Sequence, residues 1–521
     1  MSGFGLGLIV LLYFLVLAYL GWLGYKNTAD SKDFLIAGGD THPVMMALAY
    51  GATFISASAL VGFGGVSAAY GMGIEWLCLL NILMGVIVAY IFFGRRTQVI
   101  GKRLEAHTFA EFLGKYYESN FVKYFVAAVI FLTMPLYAAV VLKGGAVFIE
   151  EMFKIDFNLA LLLLTLVVAG YVIAGGMKSV VYTDVLQACI MVGSILFLAY
   201  WFFFREMGMG FAEANRALSD MSHLVPEKFQ ALGHVGWTSM PSLGSPQWYT
   251  LVTSLILGVG IGCLAQPQLV VRFMTVKGTK ELNRGVLIGT VFLVLTVGIM
   301  YHIGALSNLY FYKTTGMVAT DVSPDIDKII PLFINSFMPG WFSAVFMLCV
   351  ISAAMSTLSS QFHTMGAAVG RDIYSGFTRR DNWPKELTRA GVLFTILVSY
   401  VICYVLSASV IARGTSLFMG ICAATFLPIY FAALFLKKKI SVVSVKWSLW
   451  TGLLTSFFAL VFLHRSEAVA LGICKALFGK EVLIEKYPWY MIDPLLFALP
   501  LSIMALVIAE LVVRRKSGKN R

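Results

Sequence analysis

The chain has 521 residues, of which 59% are hydrophobic and 13% charged, with a mean hydropathy of +0.84 and a net charge of +12. Soluble domains carry about 25% charged residues, so a chain of this length has too few charges to cover the two to four domains it would otherwise form. This excludes a soluble enzyme, a nucleic-acid binder and a disordered scaffold, and places the protein mainly in lipid.

A membrane-crossing helix needs about 20 mostly apolar residues. Thirteen such runs are predicted, at roughly 4–25, 44–70, 74–94, 121–149, 156–175, 178–204, 246–271, 284–308, 337–366, 387–410, 413–436, 447–463 and 490–513. The runs lack period-2 alternation, which argues for helices over a barrel. An odd number of spans puts the termini on opposite sides, and Lys and Arg concentrate on the cytoplasmic side. With the N-terminus outside, the inner segments hold 27 basic residues, Arg272 among them, and the outer segments 12. The expected orientation is therefore N-terminus outside and C-terminus cytoplasmic, in the plasma (inner) membrane. The first run lacks the basic start and small-residue cleavage site of a signal peptide and is read as a retained helix. The outer loops 205–245, 309–336 and 464–489 are short for folded domains. Of the seven cysteines only Cys474 reads as loop-borne, and no metal-ligand or disulfide pattern appears.

Two spans are interrupted. The second carries Gly51, Gly62, Gly64, Gly65, Gly71 and Gly73 among Ser56, Ser58 and Ser67, and the expected backbone gap is Ser58–Gly65. The seventh carries Gly258, Gly260 and Gly262, then Pro267 between Gln266 and Gln268. Mid-helix glycine costs about 1 kcal/mol and proline about 3, and an unwound turn frees carbonyls that need a partner in lipid. Close packing through small residues would explain one such helix; two at matching positions of two five-helix sets point to a transport site.

The ninth span adds a turn of hydroxyls, Ser356, Thr357, Ser359 and Ser360, with Ser356 sharing a face with Ser359 and Ser360. Neutral oxygens of this kind suit a hard monovalent cation, although helix-to-helix hydrogen bonding uses them too. Asp184 lies six residues after Lys178 and is either an interfacial carboxylate or a cation ligand. Lys143 either reaches the outer surface or pairs with a substrate carboxylate. His302 and His363 read as core histidines. A phosphate-binding loop is missing, so an ion gradient is the expected driving force.

Several blocks in order carry a resemblance: DFLIAGGD at 33–40, HTFAEFL at 107–113, AGGMKSVVYTDVLQ at 174–187, QPQLVVRFMTVKGTKELNRG at 266–285 and AAMSTLSSQ at 353–361, followed by RDIY. The chain resembles the sodium:solute symporter family. The resemblance implies an all-α integral membrane protein with about 13 transmembrane helices, a leucine-transporter-type five-plus-five inverted repeat with one extra helix before it and two after. The expected division is 1–43 for the extra helix and its loop, 44–204 and 246–436 for the repeats, 205–245 for an outer loop, and 437–521 for the last two helices and tail. It further implies Na+ as coupling ion, held by carbonyls of Ala57, Leu60 and Ala353 and hydroxyls of Ser356 and Thr357. In some members a second site would use Asp184 with Ser356, Ser359 and Ser360.

SASALVGFGG and VVRFMTVKGTKELNRGVLIGT look most like the pantothenate and monocarboxylate carriers, and Ala59 stands about where proline carriers place an Asp. The expected function is sodium-driven uptake of a small organic solute, most readily a carboxylate, with Ser56, Ser58, Phe63, Lys143, Gln266, Thr415 and Ser416 as candidate lining. The partners expected are that solute and the lipid bilayer, with neither nucleic acid nor an obligate protein partner. A proline, amino-acid or sugar symporter, a proton-coupled carrier using Asp184, and a channel or sensor are the alternatives; the short segment after Val513 argues against a sensor.

Overall fold

The structure, a computed structural model, describes residues 3–374, 385–405 and 411–519; the end of the expected span 387–410 lies outside them. The described residues are helical, with no strand among them. Large apolar side chains such as Leu11, Leu132, Leu166, Phe204 and Leu287 face outward, as they must where lipid tails are the solvent.

The first helix, α1 (Gly3–Lys26), lies along α8 (Phe157–Tyr200). Gly24 makes this possible: a β-carbon there would stand 2.5 Å from the Ser179 Cα. A short helix α2 (Ser31–Ile36), N-capped by Asp30, then leads into α3 (Pro43–Phe54) and its continuation α4 (Ser58–Tyr70), bent by 59°. There follow α5 (Met72–Arg103), α6 (Phe109–Tyr117), α7 (Asn120–Phe153) and α8. The outer loop carries α9 (Phe211–Asp220). Beyond it come α10 (Pro246–Ala265), α11 (Pro267–Val270), α12 (Thr279–Thr315), α13 (Ile326–Phe337) and α14 (Gly340–Ile373). The chain finishes with α15 (Lys385–Val405), α16 (Ile411–Phe435), α17 (Val442–Phe462) and α18 (Leu495–Lys519).

Eleven of these helices are long and apolar enough to cross a membrane, or twelve when the bent α3–α4 pair counts as one span. The expected thirteen differ at α8. Spans 156–175 and 178–204 belong to one run of 50 residues, Phe157–Glu206. At 1.5 Å per residue a straight run would measure about 75 Å, against a hydrocarbon core of about 30 Å. It changes direction at Gly176 (φ 57°, ψ −139°), a conformation that glycine supplies without a Cβ clash.

Buried in the middle, α14 is flanked by α7, α8, α15 and α3. All seven cysteines are free, and Cys474, read as loop-borne, is buried in a short helix (Ile473–Phe478). His363 is satisfied by the Phe34 carbonyl at 2.8 Å, whereas His302 faces Glu75 at 2.7 Å and stacks on Phe211.

The basic end of the bundle carries a cluster of ion pairs. There Asp33 meets Lys178 at 2.8 Å; burial alone would raise the Asp33 pKa, but the Lys178 ammonium holds it below its ordinary value. Glu111 on α6 accepts from Arg371 at 3.1 Å and pairs with Lys115 at 2.9 Å. Its burial would favour the neutral acid, yet the two cations outweigh that and bring its pKa down to about 2.

Candidate functional site

Why does the first broken helix break where it does? Neither Ile55 nor Ser56 is a helix breaker, yet Ile55 is extended (φ −91°, ψ 102°) and closes α3 by donating to the Gly51 carbonyl. The expected gap at Ser58–Gly65 is therefore corrected: the chain unwinds at Ile55–Ser56 and is helical through the glycines, with a π-type turn at Ser58–Gly62. The glycines serve packing instead. A β-carbon on Gly65 would collide with the Ile326 carbonyl oxygen, and one on Gly64 would press Ile330 and Met300. A π-type turn beside a break is a common mark of functional helices.

The second broken helix opens in the same way at Gln266 (φ −71°, ψ 115°), just before Pro267, which has no N–H to give. The two breaks share a hydrogen-bond pattern. The Ser56 carbonyl accepts from the N–H groups of Ala59 and Leu60, and the Gln266 carbonyl from those of Leu269 and Val270. Each break thus restarts a half-helix whose first N–H groups and positive dipole end open at mid-bundle.

Around the first break the side chains are neutral and interlinked. Ser58 Oγ lies 2.5 Å from Ser56 Oγ and 2.9 Å from Thr415 Oγ1 on α16. On α7 the Tyr137 ring stacks on Phe418 at 5.2 Å. At the second break Gln268 Nε2 donates to Gln266 Oε1 at 2.8 Å. Ser416 is buried against Gly258 of α10, and Phe63 packs on Tyr301. Lys143 lies about 9 Å along α7 from Tyr137, at 1.5 Å per residue. Its Nζ reaches the Cys403 carbonyl on α15 at 3.5 Å.

The hydroxyl turn of α14 faces the end of α3. Ser356 Oγ donates to the Ala52 carbonyl at 2.8 Å and to Ala353 at 3.1 Å, and Thr357 Oγ1 donates to the Thr53 carbonyl at 3.1 Å. These contacts bring Ala353, Ser356 and Thr357 together with Ala52 and Thr53, carbonyls orphaned by the break. Ala57 and Leu60 lie beyond the break on the second half-helix. The resulting set is neutral, buried and made of oxygen, a donor chemistry that fits a dehydrated monovalent cation. Among the described residues no cluster of three His, Cys, Asp or Glu could hold a harder metal.

One turn further along α14, Asp184, Ser359 and Ser360 do converge, with Ser359 Oγ 3.4 Å from Asp184 Oδ1. Arg272, which reads from sequence as one more topological charge, is fully buried there. Its Nη2 donates to Asp184 Oδ2 at 2.5 Å, to Ser360 Oγ at 2.5 Å and to Thr53 Oγ1 at 2.8 Å. Its flanks give a usable signal: a lone arginine in LVVRFM, five residues past Pro267, is a buried cation in need of a carboxylate.

The sequence profile of the Sodium:solute symporter family matches residues 34–452. Among curated relatives, the osmoregulated proline transporter OpuE of Bacillus subtilis is 27% identical over 399 residues, 76% of each chain. The sodium/pantothenate symporter of Haemophilus influenzae is 27% identical over 332 residues, 63% of each. The sodium/proline symporter of Escherichia coli is 22% identical over 399 residues, 75% of this chain and 74% of that one. Among solved structures, a sodium-coupled sialic acid symporter in a substrate-bound, outward-open state aligns over 97% of both chains with a TM-score of 0.74 at 15% identity, a likeness of fold. The chain belongs to the sodium:solute symporter family, membrane transporters rather than enzymes, with Na+ as the coupling ion.

Proposed function

We propose that this protein couples inward sodium flow to uptake of a small organic acid, with the basic end cytoplasmic and the N-terminus outside. Residues 44–204 and 246–436 would act as the two repeats. The observation that carries the reading is the pairing of two neutral oxygen sets across the first break: Ser356 and Thr357 against the Ala52 and Thr53 carbonyls, and Ser56, Ser58 and Thr415 beside the start of the next half-helix.

Sodium as cargo would sit in the first set, with the Ala353 carbonyl adjoining and those of Ala57 and Leu60 nearest along the chain. The solute would sit in the second, between the breaks, with Gln266, Ser416 and Phe63 as its further lining. A carboxylate there takes hydrogen bonds from the hydroxyls and from the open N–H groups of the half-helix. Lys143, farther along α7, adds positive potential. Coupling follows because both sets share the unwound segment: closing α14 on α3 fixes the geometry of Ser56 and Ser58, so each ligand favours the state the other prefers.

The test is uptake by the full chain in proteoliposomes. Labelled lactate, pyruvate, pantothenate and proline are offered under an inward sodium gradient, a potassium replacement, and sodium plus a protonophore. Accumulation of an acid in sodium alone, insensitive to the protonophore, is expected. Accumulation in potassium that the protonophore abolishes would assign the coupling to protons through Asp184 instead, and accumulation of proline but no acid would overturn the carboxylate.

A further inference from the structure

We infer that the Arg272 guanidinium is a tethered cation standing where a second sodium would bind, so that the transport cycle carries a single sodium. The inference rests on the sodium reading above and extends it to stoichiometry.

The residue types for a second site are present and close together, yet the donor set does not fit another cation. Two of the expected ligands, Asp184 Oδ2 and Ser360 Oγ, lie 2.5 Å from Arg272 Nη2, and the neighbouring Thr53 Oγ1 lies at 2.8 Å. The two 2.5 Å separations fall within the 2.3–2.6 Å at which calcium, an ion of nearly the same radius as sodium, holds its oxygens. One nitrogen therefore stands beside Asp184 and Ser360, two of the four residues that the ion would need. Arg272 Nε and Nη1 find no acceptor among the described residues, so the guanidinium engages this set through one corner.

Charge balance points the same way. Asp184 and Arg272 are both fully buried, and the carboxylate neutralises one cation. A sodium added beside it would leave a net positive charge in a low-dielectric site, next to a guanidinium that does not deprotonate. The neighbouring hydroxyls Ser359 and Ser360 are neutral and offset nothing. The Ser356 and Thr357 hydroxyls bond carbonyls instead, those of Ala52, Ala353 and Thr53.

The experiment measures 22Na+ bound per purified full-length chain, together with the sodium-to-solute flux ratio in proteoliposomes. One sodium per chain and a flux ratio of one are expected. In Arg272→Gln the carboxylate loses its resident cation, so binding should rise to two per chain and the Hill coefficient for sodium toward 2. Arg272→Lys keeps the charge and should stay at one. Because a buried carboxylate left alone can prevent folding, Asp184→Asn/Arg272→Gln serves as the folded comparison and should also bind one. Two sodium ions on the wild-type chain, or an Arg272→Gln chain that folds and still binds one, would overturn the inference. No sodium bound to the wild-type chain would instead overturn the sodium reading on which it rests.

Discussion

Two polar regions are buried in this apolar bundle, and they hold together in opposite ways. At mid-bundle Ser56, Ser58, Thr415, Ser356 and Thr357 are neutral groups bonded to one another and to orphaned carbonyls. At the basic end Asp33 and Glu111 are each matched to a cation, as Asp184 is one turn from the hydroxyls. A neutral hydroxyl bond is worth about 1 kcal/mol net, little enough for an arriving ligand to replace. A buried charge left without its partner costs roughly 3–5 kcal/mol. The middle is built to exchange partners, and the end is built to keep them.

That contrast can be broken by substitution. Glu111→Gln should have the largest effect, a loss of about 3 kcal/mol of stability at pH 7, since the pKa falls from an ordinary 4.5 to about 2 at roughly 1.4 kcal/mol per unit. A depressed carboxylate stabilises the fold above pH 4.5, and the contribution is lost as pH falls toward 2. Thermal-shift curves of the two proteins should therefore differ widely at pH 7 and converge only near pH 2, while sodium affinity at pH 7 stays the same. An unchanged melting temperature at pH 7 would erase the distinction between the regions.

The double variant Ser356→Ala/Thr357→Ala should raise half-saturating sodium about 100-fold, two ligands at about 1.4 kcal/mol each, with the melting temperature nearly unmoved. Either single change alone should give about tenfold. Ser58→Ala or Thr415→Ala should raise the KM for solute about tenfold and leave sodium activation in place; a reversed pattern would mean that the two oxygen sets have been assigned the wrong way round. Lys143→Met should give the smallest change, about a fivefold rise in KM for an acid, read by the same uptake assay. Complete loss of uptake would make Lys143 the direct partner of the carboxylate.

Much of this was legible in the residues, though unevenly. The hydroxyl turn at 356–360 stands out because oxygen-bearing side chains are rare in an apolar run, and Pro267 announces the second break through its missing donor. The first break is hidden. Glycines draw attention to Gly64 and Gly65, whose role is to admit α12 and α13 closely, while the chain opens at Ile55–Ser56, where local propensity gives no sign and contacts with α14 and α16 decide. The two expected spans within α8 run together for a related reason: hydropathy registers length, whereas the change of direction depends on the positive φ of Gly176. Arg272 was counted as a surface charge because a charge census has no depth coordinate, and only its apolar neighbours mark it as internal.

The short helix α2 has a consequence for solute release. Phe34 is fully buried, its carbonyl bonded to His363 and its ring beside Arg389, and a β-carbon on Gly176 would stand 2.5 Å from that carbonyl oxygen. The ring is seated in a socket that only glycine can form, and the Asp33–Lys178 pair ties down the same short helix. To drain toward the basic end, the protein would have to unseat an aromatic ring and part an ion pair that salt weakens. Ionic strength in the receiving compartment would then help set how fast the door swings.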